Sequence, residues 1–176
     1  MIQNYEKRNC YIQQLESNKP VNKELKEYEG DLQEFADKIF LTKMTSNAVK
    51  NLGEIDESII IDLNMKGIDI ATNAIFISDK VILKYLNHSK STKGAVINLT
   101  RFAEIEKMIV KPKNIYEDIT SINPIYVYSY DYNNKIIKAI IHPNYLISGN
   151  YVNLLKSIGI VDETMVSKNI QYRKIK

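Results

Sequence analysis

The chain contains few of the residues that build disulfides or metal centres. Its 176 residues include one cysteine, Cys10, and two histidines, and no HExxH or clustered-carboxylate spacing is present. A lone cysteine excludes an internal disulfide, and a metal site needs ligands that this spacing does not supply. No cofactor or metal is therefore expected.

Long apolar segments are also missing from the sequence. There is no signal-peptide pattern and no run of about 18 apolar residues, so no membrane span is expected. Together with the cysteine content, this predicts a reducing, cytoplasmic location. Hydrophobic residues nevertheless make up 44% of the chain, which is enough for the core of one domain with an appended arm.

Charge is divided unevenly along the chain. Residues 1–75 hold 9 Lys and Arg against 13 Asp and Glu, a net charge of −4. Residues 76–176 hold 15 against 8, a net charge of +7. The second part is therefore a candidate for binding a polyanion. Only three arginines are present, so ordinary lysine abundance is the alternative explanation.

The first part of the chain, residues 1–52, predicts a helical arm. One helix is indicated before Pro20 by apolar residues at Ile2, Tyr5, Ile12 and Leu15. After Pro20, apolar residues recur at spacings of 3 and 4: Val21, Leu25, Tyr28, Leu32, Phe35 and Ile39. This repeat covers about three heptads, which favours a packed hairpin or a docking arm over a long coiled coil. The apolar stripe is expected to dock on the rest of the chain or on a second copy.

The remainder, residues 53–176, predicts an α+β domain. Extended segments are indicated by β-branched and alternating runs at 57–63, 74–78, 124–130, 135–142, 150–159 and 165–175. Helices are expected over 79–88, with Ser78 or Asp79 as the N-cap, and over 99–110, ending before Pro112. The expected fold is thus an N-terminal helical arm followed by helices packed on a four- to five-stranded antiparallel sheet.

The loop of the predicted hairpin decides which side chains share a face of the sheet. A loop of two or four residues pairs a row of tyrosines with Ile137, Ala139 and Ile141, away from His142; the row is Tyr126, Tyr128 and Tyr130. A three-residue loop places the row beside Lys138 and His142, because a shift of one residue exchanges the faces. In that case the rings would offer stacking surfaces for unpaired bases, and cross-strand aromatic packing is the alternative.

The stretch KVILKYLNHSK, residues 80–90, carries polar groups along the edge of an apolar helix. Val81, Tyr85 and His88 fall at i, i+4 and i+7, and Lys84 lies beside them. A turn-rich basic segment follows directly. The helix edge is therefore either a functional site or the border of an ordinary amphipathic helix.

Three stretches carry a family resemblance: GEIDESIIIDLNMKGIDIATNAIFISDKVILKYLNHSK, then VKPKNIYED, then the closing YRKIK. With the helix and hairpin between them, they resemble the phage-associated members of the barnase, EndoU, colicin and RelE-like ribonuclease superfamily. The resemblance covers residues 53–176. The chain departs from the family pattern at one place, because Tyr85 directly follows Lys84 where a histidine is typical, and the histidine falls at 88.

The resemblance implies a phage- or mobile-element-encoded, toxin-like endoribonuclease that needs no metal. Such an enzyme takes the proton of the ribose 2′-hydroxyl, protonates the leaving 5′-oxygen and stabilises a charged phosphorane, so its product ends in a 2′,3′-cyclic phosphate. The implied catalytic residues are His88, His142, Lys84 and Lys138. The implied RNA-binding residues are Tyr85, Lys90, Lys93, Tyr126 and Tyr128. RNA is the expected partner, with transfer RNA as one candidate.

Two other classes of protein also fit the sequence. A catalytically inactive phage-encoded protein-binding module, such as an inhibitor or anti-defence protein, would explain the acidic arm and the position of His88. A phage assembly protein would explain the amphipathic helix, through self-association of the N-terminal helices. Toxicity on expression that is relieved by replacing His88 or His142 would favour the nuclease.

Overall fold

The computed structural model describes residues 25–86 and 102–176. Within these ranges the chain forms eight strands and five short helices. The strands are β1 (Lys26–Glu27), β2 (Ala48–Glu54), β3 (Ala74–Ser78), β4 (Asn114–Asp118), β5 (Tyr126–Tyr132), β6 (Lys135–Ile147), β7 (Asn150–Val161) and β8 (Tyr172–Lys174). The helices are α1 (Leu32–Thr42), α2 (Glu57–Met65), α3 (Asp79–Leu86), α4 (Phe102–Ile109) and α5 (Thr164–Ser167).

The eight strands form one mixed sheet in the order β1-β2-β3-β7-β6-β5-β4-β8. Strands β1 and β2 pair in parallel, as do β3 and β7, and the other neighbours pair antiparallel. The prediction of a four- to five-stranded antiparallel sheet is therefore wrong. The chain is α+β, but its sheet is larger and of mixed direction.

The strands that the prediction missed lie in segments whose patterns conceal them. The centre of β2 carries Lys50, Asn51 and Gly53, and a bulge between Asn51 and Gly53 breaks its alternation. Strands β1 and β8 are only two and three residues long. The parallel pair aligns Ile75 with Asn153, a contact that no local pattern can indicate. The expected boundary between residues 52 and 53 falls inside β2.

Helix α1 starts at a capping box and not at the beginning of the apolar repeat. Oδ1 of Asp31 accepts a hydrogen bond from the backbone N–H of Glu34 at 2.8 Å, and the Glu34 carboxylate accepts from the N–H of Asp31 at 3.3 Å. Strand β1 occupies part of the repeat that was expected to be helical. The stripe on α1 packs into the main core through Leu32, Phe35 and Ile39, so docking on the rest of the chain is confirmed for this helix.

Residues 57–63 lie in α2 and do not form the extended segment that their β-branched run predicts. The side chain of Asp56 caps the helix, because its Oδ1 accepts from the N–H of Ser58 at 3.0 Å. Ile59 and Leu63 lie four residues apart on the buried side, both with 0% exposure. Burial of one helical face here outweighs the preference of isoleucine for strands.

Three of the other expected elements are present. Strand β3 matches residues 74–78, and α3 begins directly after it. Oγ of Ser78 accepts a hydrogen bond from the N–H of Val81 at 3.3 Å, which confirms Ser78 as a cap. Helix α4 ends at Ile109, before Pro112. Residues 87 and 88 of the predicted helix lie outside the described ranges.

Strands β5 and β6 form the expected antiparallel hairpin. Tyr132 pairs with Lys135, so the loop consists of Asn133 and Asn134, and Asn133 has a left-handed φ of 46°. A two-residue loop fixes the register with the tyrosine row opposite Ile137, Ala139 and Ile141. The row therefore faces away from His142.

The two faces of the sheet differ in their cover. Helices α1 to α4 pack on one face and bury the main core, which includes Tyr126, Tyr128 and Ile141. The opposite face, here called the open face, carries two small apolar clusters. One lies around Phe76 and Leu154, and the other lies beneath α5. Between them lies the part of the sheet that carries Ser129, Lys138 and His142, here called the polar strip.

Candidate active site on the open face

His142 lies in the polar strip of the open face, on β6. It pairs with Leu154 of β7, whose side chain belongs to the open-face cluster, and its own side chain is half-buried. The pairing of β6 with β7 shifts register on both sides of this position. One shift leaves Lys156 as an extra residue in β7, and the other accompanies Asn144, whose φ is 49°. Bulges of this kind redirect side chains and recur beside active sites.

The two bulges bring Tyr145 and Lys156 next to His142. The rings of His142 and Tyr145 meet edge to face, with centroids 6.1 Å apart and planes at 83°. Nζ of Lys156 donates a hydrogen bond of 2.7 Å to the Tyr145 hydroxyl and lies 4.2 Å from the centroid of the same ring. Tyr145 thus holds the lysine ammonium group close to the imidazole.

The environment of His142 favours its neutral form. Burial of the imidazole lowers the pKa of His142 below its ordinary value of 6.5, and the positive charge of Lys156 lowers it further. A neutral imidazole can accept a proton near pH 7. The arrangement therefore combines a proton acceptor with a nearby cation, the pair that activates a hydroxyl for attack on a phosphodiester.

A pocket of about 340 Å³ adjoins this group, between the start of α3 and the far end of the β6–β7 hairpin. Its walls carry three lysines, Lys80 and Lys84 from α3 and Lys156 from β7. Within the described ranges, none of the three forms an ion pair with a carboxylate. The other lining residues are Asn47, Ser78, Asp79, Val81, Tyr145, Leu146, Ile147, Ser148 and Leu154.

Asp79 is the one acidic residue in the pocket lining; one of its carboxylate oxygens accepts hydrogen bonds from the backbone, and the other, Oδ1, is buried without a hydrogen-bond partner among the described residues. Its exposure is 1%, and Oδ2 accepts hydrogen bonds from the N–H groups of Ser46 at 2.6 Å and Ala48 at 3.0 Å. These bonds hold the segment before β2 against the first turn of α3. The lysines therefore dominate the charge that a ligand would meet.

The structure places the predicted catalytic residues as follows. Lys84 is exposed on the wall of the pocket, across from the hairpin that carries His142. Lys138 lies on the same strand as His142, four residues away, which is about 13 Å along a strand. Nζ of Lys138 donates a hydrogen bond of 2.7 Å to the hydroxyl of Tyr172. His88 lies outside the described ranges, and its catalytic role stays a prediction.

The predicted RNA-binding residues fare differently. Lys90 and Lys93 lie outside the described ranges. The hydroxyl of Tyr85 bonds to Oγ of Ser157 at 3.4 Å and to the backbone N–H of Ile158, so the ring packs α3 onto the sheet. Burial raises the pKa of the Tyr85 hydroxyl above its ordinary value of 10.0. Tyr85 is therefore an anchor of the helix in this structure.

Tyr126 and Tyr128 cannot stack on bases in this fold, and the prediction of a base-stacking row is corrected. Both rings have 0% exposure, because the two-residue hairpin loop turns them toward the helices. The hydroxyl of Tyr126 donates to Oδ2 of Asp62 at 2.6 Å, and that of Tyr128 accepts from the N–H of Asp56 at 3.0 Å. Burial raises the pKa of both hydroxyls well above the ordinary range.

Sequence reasoning missed Tyr145 and Lys156, which lie beside His142. Lys156 interrupts the apolar run VNLLKSIG, and Pro143 follows His142 directly. Both are signals of a break in the strand pattern. Either signal marks a bulge, but neither says which side chains the bulge brings together.

A second polar cluster lies at the end of the sheet, under α2. Asp62 and Glu117 are almost fully buried and share two cations, Lys66 and Arg173. Burial raises the pKa of Asp62, but hydrogen bonds from Lys66 and Tyr126 and the nearby positive charges lower it by more, so it falls below its ordinary value. Both carboxylates pair with these cations, so the cluster joins α2, β4 and β8.

Within residues 25–86 and 102–176, no three His, Cys, Asp or Glu side chains form a group that could hold a metal ion. In the same part of the chain, no helix is both long and apolar enough to cross a membrane. Comparison of the chain with protein-family models, with curated proteins and with solved structures finds no match.

Proposed function

We propose that the protein is an endoribonuclease that cleaves RNA on the open face, beside His142, without a metal ion. The observation that carries the proposal is the grouping of a half-buried imidazole of lowered pKa with the Lys156 ammonium group, next to a pocket lined by Lys80 and Lys84. The imidazole can serve as the base of a transesterification at a ribose 2′-hydroxyl, and the ammonium groups can stabilise its negative charge. The sequence resemblance to phage-associated ribonucleases supports the same reaction.

In the proposed reaction, His142 takes the proton of the 2′-hydroxyl as the oxygen attacks the adjacent phosphorus. Lys156 lies where its charge would stabilise the phosphorane, and Lys84 would neutralise a neighbouring phosphate. The P–O5′ bond then breaks, and the leaving oxygen receives a proton. His88 remains the expected proton donor. The products are a 2′,3′-cyclic phosphate and a free 5′-hydroxyl.

The role of the other predicted lysine is less direct. Lys138 lies about 13 Å from His142 along the strand, too far to contact the same phosphorus. Its bond to Tyr172 holds it on the open face, where it would contact a phosphate further along the RNA. Transfer RNA, with its single-stranded loops, is the proposed natural substrate class, in the cytoplasm of a host cell.

The test is cleavage of transfer RNA and single-stranded RNA by the purified chain in the presence of a chelator. His142→Ala should lower the cleavage rate by at least about 100-fold, the usual loss for a general base. Lys107→Ala, an exposed lysine of α4 away from the open face, is the matched control and should cleave normally. Oligonucleotides with 2′-deoxyribose at the cleavage position should stay intact.

The product end distinguishes this mechanism from hydrolysis. Phosphatase removes a 2′,3′-cyclic phosphate only after acid has opened the ring. It removes a terminal 5′-phosphate directly. If the wild-type chain leaves both RNA classes uncut over hours, the enzyme reading is wrong. The alternative, a protein-binding module without catalysis, would then stand.

A further inference from the structure

The pocket beside His142 gathers positive charge from two elements of the fold, α3 and β7. Lys156 lines it from the sheet, and Lys80 and Lys84 line it from α3, where a spacing of four positions puts them on one side of the helix. Formally the lining carries three positive charges and one negative charge, and the negative group, Asp79, already accepts two backbone hydrogen bonds. The pocket is therefore suited to an anion.

The remaining lining of the pocket is part apolar and part neutral polar. Val81 and Leu154, both buried, supply apolar lining, here called the apolar floor, while Asn47 and Ser148 supply an amide and a hydroxyl. A volume of about 340 Å³ lies at the lower end of the range for small-molecule sites. A ligand that fits has one strongly anionic group and a compact, flat remainder that can lie on an apolar floor.

We propose that this pocket is a subsite for a single nucleotide, with its phosphate held by Lys80, Lys84 and Lys156. The proposal rests on the proposed function, because Lys156 and Tyr145 belong both to the pocket and to the group around His142. A nucleotide seated here adjoins the phosphodiester that the ribose 2′-oxygen attacks once His142 has taken its proton. The pocket thus positions the RNA and selects for a residue that fits its floor.

The test is titration of the wild-type chain with nucleoside 3′- and 5′-monophosphates at low salt, followed by calorimetry and heteronuclear NMR. Nucleoside monophosphates should bind, and the corresponding nucleosides should bind at least tenfold more weakly, because they lack the anion. Resonances of Val81 and Leu154 should shift on binding. Inorganic phosphate should compete, since it occupies the same lysines.

Charge reversal on α3 provides the matched comparison. Lys84→Glu should weaken nucleotide binding at least tenfold, whereas Lys107→Glu, with the same change of charge on α4, should leave it unchanged. Both positions are exposed, so circular dichroism should show the wild-type fold for each. Equal affinities for the two variants, or no nucleotide binding by the wild type, would overturn the subsite.

Two further experiments test whether the bound nucleotide belongs to RNA and distinguish the subsite from the cleavage reaction. A mononucleotide that binds but does not compete with a single-stranded oligoribonucleotide would overturn the assignment to RNA. His142→Ala should retain nucleotide binding while losing cleavage. If nucleotides compete with RNA that the wild type never cuts, the subsite stands and the endoribonuclease falls. If the wild type cuts RNA but Lys84→Glu binds nucleotides as tightly as Lys107→Glu does, the endoribonuclease stands and the subsite falls.

Discussion

Arg173 and Asp62 lie 111 residues apart in the sequence, and Nη2 of Arg173 donates a hydrogen bond of 2.6 Å to Oδ1 of Asp62. The same guanidinium group contacts Glu117 with Nη2 at 2.6 Å and Nε at 3.1 Å. Strand β8 is thereby tied both to its neighbour β4 and to α2, which lies above the sheet. The C-terminal strand is only three residues long, and these charged contacts add to its backbone pairing with β4.

Asp62→Asn should lower the free energy of unfolding by about 3 kcal/mol, the usual cost of removing one partner from a buried ion pair. The reason is that Lys66 and Arg173 would be left facing one carboxylate instead of two. Urea unfolding followed by circular dichroism measures the change. Asp131→Asn, which breaks an exposed pair, should have no measurable effect. Equal stabilities of the two variants would contradict the assignment.

Acid should remove the contribution of Asp62. Its pKa in the folded chain lies below the ordinary 3.8, so between these two values the unfolded state binds the proton more readily. The stability from Asp62 is thus fully present above about pH 4 and is lost as the pH falls through the folded pKa. The difference between wild type and Asp62→Asn should shrink on acidification, measured by urea unfolding at several pH values. A constant difference would contradict this account.

The pKa of His142, followed by NMR of its ring protons, should lie below 6.5. Lys156→Met should raise the pKa of His142, because the adjacent positive charge would be gone. The pKa should stay below the ordinary value, because the imidazole would still be buried. Lys138→Met is the control and should leave it unchanged, since this lysine lies about 13 Å away. A His142 pKa above 6.5 would contradict the proposed role as a base.

The same shift predicts a pH dependence of stability. Because the folded pKa of His142 lies below 6.5, the unfolded state binds the proton first as the pH falls. Stability should therefore decline as the pH drops from 6.5 through the folded pKa. His142→Gln should remove this part of the slope, and urea unfolding across that range tests it. A slope that His142→Gln leaves unaltered would assign it to other groups.

Gly53→Ala should destabilise the chain by about 2 kcal/mol, the cost of a residue held in an unfavourable backbone region. Gly53 has a φ of 125° at the β2 bulge, and an added Cβ would collide with Cγ1 of Val110. Thermal unfolding measures the loss. Gly159→Ala on β7 is the control, because an added Cβ meets nothing within 4 Å there. A neutral Gly53→Ala would show that β2 relaxes at the bulge.

Tyr85→Phe separates an anchoring role from an RNA-binding role. The hydroxyl bonds to Ser157 and to the N–H of Ile158, so its removal should cost about 1 kcal/mol of stability. Affinity for single-stranded RNA, measured by fluorescence anisotropy, should not change. A loss of RNA affinity with unaltered stability would restore the role that the sequence resemblance implies.

Local sequence patterns were sufficient to predict an element where the residues that define it are adjacent in the chain. The hairpin of β5 and β6 has alternating strands around Asn133 and Asn134, and α3 has Ser78 at its start, so both could be predicted. The register of the hairpin could not be predicted, because the same sequence is compatible with loops of two and of three residues. The two loops place His142 on opposite faces of the sheet. Only the observed pairing of Tyr132 with Lys135 decides it.

Local sequence patterns gave the wrong structure for segments whose side chains are buried against residues distant in the chain. The isoleucines of 57–63 read as a strand, yet Ile59 and Leu63 are buried on one side of α2. Strand β2 reads as polar, yet it pairs with β3 in the sheet. In both cases the tertiary surroundings outweigh a propensity of at most about 1 kcal/mol.

The sequence alone determined the α+β composition and the antiparallel hairpin, because these depend on residues adjacent in the chain. The tertiary structure decided the rest. It brought Lys84 from α3 and Lys156 from β7 to one pocket, and it turned the tyrosines into the core. Such contacts depend on strand order and on bulges that shift side chains by one position, and neither is encoded in a local pattern of apolar and polar residues.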